Sequence, residues 1–171
     1  MAETLSAQIS ASLVWLFQDT LGLTTIADAS RLEYDAQLTA GTGSGQANGL
    51  WHDLRTLAAA TNEDLTLSNL PQTIFGNSVS VNMAAVKALL IVNSATTSGA
   101  DLIVGAAASA AWGAPFGATS HQVRVPADSC LLLVNKGAGW SVTAGAVDKL
   151  RIGNGGSASI DYKIVIVGVH A

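Results

Sequence analysis

At 171 residues the chain has the length of one domain. It is 49% apolar and only 12% charged, which excludes intrinsic disorder. An ordinary soluble domain carries about one quarter charged residues, so part of this surface is expected to be hidden in an oligomer or a larger assembly. The net charge of −4, with no run of Lys or Arg, excludes the basic footprint that nucleic-acid binding needs.

Taken in chain order, MAETLSAQIS lacks a basic stretch, which argues against a secretory signal. In QISASLVWLF the residues Ile9, Ala11, Leu13, Trp15 and Phe17 recur every second position, and their types favour a strand over a helix. RLEYDAQL alternates cleanly, with Leu32, Tyr34, Ala36 and Leu38 on one side and Arg31, Glu33, Asp35 and Gln37 on the other. That is the pattern of a half-buried antiparallel strand. GTGSGQANG reads as a flexible turn between strands, while LWHDLRTLAAA fits a helical or a strand period equally well. DLTLSNL is a short strand before Pro71. NSVSVNM, VKALLIVN, DLIVGAA, HQVRV, SCLLLVN, GWSVTA, KLRIGN and SIDYKIVIVGVH follow as strands, separated by Gly-, Asn- and Pro-rich turns.

This spacing predicts an all-β antiparallel sandwich of about ten strands. Residues 1–40 form an N-terminal arm and first strands, and residues 41–171 the sandwich. ALLIV and CLLLV are apolar on both faces, so each needs cover on both, from the opposite sheet and from a neighbouring subunit or the arm. The longest apolar runs, LVWLF and IVIVGV, fall short of the roughly 18 residues of a membrane helix, so no membrane partner is expected. Cys130, the single cysteine, cannot form an internal disulfide and reads as a buried thiol in a strand. ASAAWGAPFGATS is a loop whose Trp112 and Phe116 either plug one end of the sandwich or contact a partner.

No catalytic set emerges. The glycines from Gly41 to Gly49 match neither the dinucleotide fingerprint nor the P-loop, and no Lys lies among them. His52 and Asp53 are adjacent, and adjacent strand residues point to opposite faces, so the acid cannot orient the imidazole. His52, His121, His170 and Cys130 lack the spacing of a zinc site. The carboxylates are dispersed, and Asn62, Glu63 and Asp64 read as a turn rather than a calcium loop. No catalytic residue, metal site or cofactor is therefore expected.

In order along the chain, GQANGLWHDLRTL, EDLTL, VKALLIVNSATTSGADLIVG, WGAPFG, VPADSCLLLV, GWSVTAGAVDKLRI and YKIVIVG resemble segments of small virion structural proteins of tailed bacteriophages. The likeness runs from about residue 30 onward. It implies a jelly-roll-like fold, self-association with a trimer favoured, and a place on the virion after synthesis in the host cytoplasm. The expected function is non-enzymatic: a capsid decoration or cement protein that bridges capsomers on the shell exterior, with the major capsid protein as partner. Trp15 and Phe17 of the arm and Trp112 and Phe116 of the loop are the expected partner-contacting residues. A tail, baseplate or fibre component and a carbohydrate-binding sandwich module are the alternatives.

Overall fold

The computed structural model describes residues 4–74 and 76–171. The chain is all-β, and among the described residues there is no helix. The strands are β1 (Ala7–Leu21), β2 (Thr24–Ala40), β3 (Gln46–Ala47), β4 (Gly49–Leu57), β5 (Asn62–Thr66), β6 (Leu70–Ile74) and β7 (Asn77–Val81). They continue with β8 (Met83–Asn93), β9 (Leu102–Gly105), β10 (Gln122–Val125), β11 (Ser129–Val134), β12 (Trp140–Ser141), β13 (Lys149–Asn154) and β14 (Ile160–His170).

Two sheets form the sandwich, in the orders β11-β8-β14-β4 and β10-β9-β13-β5, with β12 also on β8. The pairing is nested. The outermost strands in sequence pair first, β4 with β14, then β5 with β13, β8 with β11, and β9 with β10, all antiparallel. The β8–β14 and β9–β13 ladders then join the pairs into sheets. Inward residues of both sheets share one core, among them Trp51, Leu89, Ile91, Ile164 and Ile166 facing Leu65, Leu102, Val104, Leu150 and Ile152.

The ambiguous LWHDLRTL is strand β4: Trp51 and Leu57 are buried, while Leu50 and Leu54 of the supposed helical stripe are exposed. Tertiary pairing with β14 over nine residues decided what periodicity left open. Asn62 to Asp64 is strand rather than turn, because it completes the ladder to β13. The glycine that interrupts IVIVGV has a steric reason. Gly168 sits at a bulge against β8, where a Cβ would lie 2.1 Å from the Ala85 carbonyl oxygen.

β1 and β2 form a separate ribbon. They pair without interruption from Ala7↔Leu38 to Leu21↔Thr24, closed by a turn at Gly22 and Leu23. Fifteen paired residues at about 3.4 Å each make it roughly 50 Å long. Only its root rests on the body.

Candidate interaction surface

The register of the ribbon separates its residues into two faces. Ala7, Ile9, Ala11, Leu13, Trp15, Phe17 and Leu21 of β1 share one face with Leu38, Ala36, Tyr34, Leu32 and Ile26 of β2. The other face carries Gln8, Ser10, Ser12, Arg31, Glu33, Asp35 and Gln37, with Val14 and Leu16 as apolar exceptions towards the tip. At the root the apolar face is used: Leu38 is buried with Ala47, Ala88 and Val167, and Ala7, Ile9 and Val165 pack around them. Further out it covers nothing among the described residues. Leu13 is 65% exposed, Leu32 68% and Phe17 73%, and Trp15, Tyr34, Ile26 and Leu21 are exposed as well. Trp15 and Phe17, two of the four expected contact residues, thus lie on a surface free to meet another molecule.

The surface on which the root rests is the outer face of the β11-β8-β14-β4 sheet. Three cross-strand rows run over it: Leu50–Val167–Ala88–Val134, His52–Val165–Leu90–Leu132, and Leu54–Lys163–Val92–Cys130. The root covers Ala88 and Val167, but Leu50 and Leu54 remain exposed. A groove of about 670 Å³ lies between β1 and this face, floored by Leu50, Leu90, Leu132 and Val165. Cys130 is exposed on the same face, which corrects the expected buried thiol. It does lie in a strand, but its parity places it on the outer face, where it is exposed.

The aromatic loop turns the other way. Trp112 is only 1% exposed and belongs to the core. Its ring meets Phe116 and Trp140 edge to face, each with centroids 6.4 Å away, and its indole N–H donates to the Ser141 carbonyl at 2.9 Å. Half-buried Phe116 packs against the core beside it. Trp112 is therefore corrected from a partner contact to a core residue, and it is the plugging alternative that its burial matches. An indole that buries its ring and pairs its N–H has nothing left to offer a partner.

Polar groups between the sheets are engaged with one another. Arg55 on β4 bonds Asp53 at 2.8 Å and Glu63 of the facing sheet at 2.6 Å, and the Tyr162 hydroxyl donates to Glu63 at 2.6 Å. Glu63 holds the guanidinium well above its ordinary pKa, while burial, then Glu63, pushes the Tyr162 phenol up. This cluster staples the two sheets and leaves neither a free base nor an activated nucleophile. His52 points outward while Asp53 turns to Arg55, so the pair is divided as adjacent strand residues should be. His121 and His170 each meet a carbonyl oxygen, and among the described residues no three His, Cys, Asp or Glu side chains gather as a metal site.

Two further carboxylates couple the fold to pH. Arg151, bidentate on Asp64 at 2.7 and 2.9 Å, holds that carboxyl below its usual value. Burial works to raise Asp148, but hydrogen bonds from Ser68 and the Gly145 amide, with Lys149 nearby, outweigh it and leave the carboxyl low. A depressed carboxyl contributes stability that is complete above the unfolded value, about 3.9, and lost as pH falls through the folded one. Unfolding free energy from denaturant titrations is expected to drop between about pH 5 and pH 2. Asp148→Asn should flatten that drop, and an unchanged slope would remove Asp148 from the account.

The glycine-rich stretch closes the root. Gly41 and Gly45 adopt φ of +138° and +70°, which only glycine takes without strain. The Thr39 amide donates to Gly45, the Gly41 amide to Ala47, and the Gly45 amide to Lys136. Fully buried Lys87 donates to the Gly43 carbonyl and, at 2.8 Å, to that of Gly137. Burial lowers its ammonium pKa below the ordinary lysine value. The expected flexible link is thus a tied turn that fixes the direction in which the ribbon leaves the body. The amides of Gly41 and Gly45 are spent on the chain's own carbonyls and do not converge on a phosphate.

Compared with known proteins, the chain matches no protein family, no curated sequence and no solved structure.

Proposed function

We propose that this protein is a non-enzymatic structural component of a tailed-phage virion, a capsid decoration or cement protein that bridges capsomers. The observation that carries the assembly part of this reading is the ribbon: a strand pair roughly 50 Å long whose apolar face leaves its own body bare-sided. A hairpin alone is marginal in water, and an exposed apolar strand pair aggregates unless something covers it. Such an element is understandable in a protein whose finished state is an assembly.

The strand order supports the jelly-roll reading. Eight sandwich strands, paired first with last in four nested antiparallel pairs, are the arrangement expected of a rolled-up hairpin, and jelly rolls recur in viral capsid and lectin domains. The virion itself enters by the sequence resemblance, with fold as analogy only. In this role the mechanism is linkage: a protein that binds only the assembled shell stabilises that shell by mass action. The tail or fibre alternative uses the same fold and surface. The sandwich body gives the carbohydrate alternative little support, since Trp51 and Trp112 are buried and Trp140 is half-buried against the core; only the ribbon's Trp15, Phe17 and Tyr34 would serve it.

Quantitative mass spectrometry of purified virions tests the assignment. A copy number comparable to the major capsid protein supports cement. A few copies per particle move the protein to the tail, and its absence from virions overturns the reading.

A further inference from the structure

We infer that the distal half of the β1–β2 ribbon docks on the outer β11-β8-β14-β4 face of a second copy of this chain, so that each copy gives one ribbon and receives one. The inference rests on the assembly reading above and names the partner of the exposed ribbon.

The contact it requires already exists once within the chain. The root of the ribbon seats Leu38 and Ile9 on Ala88, Val165 and Val167 of that sheet face. The same ribbon face continues outward as Leu13, Trp15, Phe17, Leu32 and Tyr34, all of them exposed. The same sheet face continues as exposed Leu50 and Cys130 and half-buried Leu90 and Leu132, along an open groove that β1 only borders. One chain therefore displays both halves of an apolar contact that it completes only at the root. The ribbon leaves the remainder unfilled: the uninterrupted ladder keeps β1 and β2 together as one unit, and the tied turn at Gly41–Gly45 anchors it to the body at the root.

Size and charge agree. Three aromatics and four aliphatics on the distal ribbon face present on the order of 700 Å², close to the roughly 800 Å² that each side of a stable interface buries. Nine distal residues span about 30 Å, enough to cross a four-stranded sheet whose outer strands lie about 14 Å apart. The acids on the distal apolar face, Asp19 and Asp28, are near the tip, and the receiving face carries exposed Lys163 and His52. A ribbon-to-face contact is heterologous, so it closes into a ring when the rotation between copies allows and otherwise grows into a filament. A ring of few copies is the expected form.

The test uses the full-length protein in solution. Phe17→Cys is oxidised mildly beside the native Cys130, with Gln18→Cys, on the opposite ribbon face, as control. Intermolecular disulfides are expected for Phe17→Cys, to be lost when Cys130→Ser is added, and to be weak for Gln18→Cys. Native mass spectrometry should show a small closed oligomer. Lys163→Glu should weaken it about tenfold, and Asp28→Lys in the same chain should restore it. A protein that stays monomeric at high micromolar concentration overturns the inference, because the ribbon then awaits a different partner. Cross-links that persist without Cys130, or that form equally from Gln18→Cys, overturn it too. The virion reading fails separately: rings in solution from a protein absent from virions keep this inference and remove that one.

Discussion

Trp112→Ala is expected to cost about 3–5 kcal/mol of folding stability, read as a shift of the urea or guanidinium midpoint. The indole lies in the core with aromatic neighbours on two sides, and its N–H is paired to Ser141. Truncation opens a cavity that the strands around it cannot close, and it also leaves the Ser141 carbonyl without this donor. For a domain whose total stability is about 5–15 kcal/mol, such a loss is a large fraction of the whole. Trp112→Phe should recover part of it, since one ring is restored while the volume of the indole's second ring and the hydrogen bond are still missing. The sequence pattern of the loop allowed the opposite expectation, that removing Trp112 and Phe116 would weaken assembly while leaving the fold intact. A wild-type midpoint for Trp112→Ala would reinstate it.

Asn154→Ala should be nearly as severe, on the order of 3 kcal/mol. Asn154 is buried at one end of the sandwich, and its side-chain amide lies within 3.0 Å of the carbonyls of Leu57 and Ala58 and 2.8 Å from that of Ala158. Its oxygen accepts from the Gly156 amide at 2.8 Å. One side chain thus ties the end of β4 to the turn that leads into β14. A buried partner left unpaired costs about 1–3 kcal/mol; the Ala58 carbonyl keeps the Thr61 hydroxyl as a donor at 2.7 Å, so the loss falls on the other contacts of Asn154. Asn154→Asp should be at least as harmful, because a carboxylate keeps the acceptor but presents oxygen to carbonyl oxygens. Hydrogen exchange at Ala60, whose amide donates to the Gly156 carbonyl, should accelerate in both variants. Unchanged exchange would mean that the turn holds without Asn154.

Buried Asn93 performs the same task at a neighbouring turn, donating to Ala100 and Val125 and accepting from Ala95. Together with Lys87, these residues are where reading by residue type fails. Asn before Ser-rich or Gly-rich stretches signals a turn. It does not signal that the side chain will be drawn inward to satisfy carbonyls from strands distant in sequence. Lys87 lies in VKALLIVN, whose alternation describes two faces of a strand, yet its ammonium reaches two turn carbonyls 44 and 50 residues away. Glu63 was legible only as part of a polar run, because Arg55 and Tyr162, which give it a role, sit on the other sheet.

What the sequence determined by itself was local and periodic. Alternation in RLEYDAQL and QISASLVWLF specifies strands with one apolar face, because successive side chains leave a strand on opposite sides. The Gly- and Pro-rich breaks place most turns, and the absence of phosphate-loop and zinc spacing needs no coordinates to recognise. Only the tertiary structure decided what each apolar face meets. It buried Trp112, which a loop sequence leaves free to point either way, and it exposed Cys130 on a strand that composition assigns to the interior. It also covered the root of the ribbon and left Leu13, Trp15, Phe17 and Leu32 uncovered, although the whole length follows the same alternation. Periodicity fixes the direction of a side chain relative to its own backbone; whether another layer lies in that direction depends on long-range pairing, which no single segment encodes.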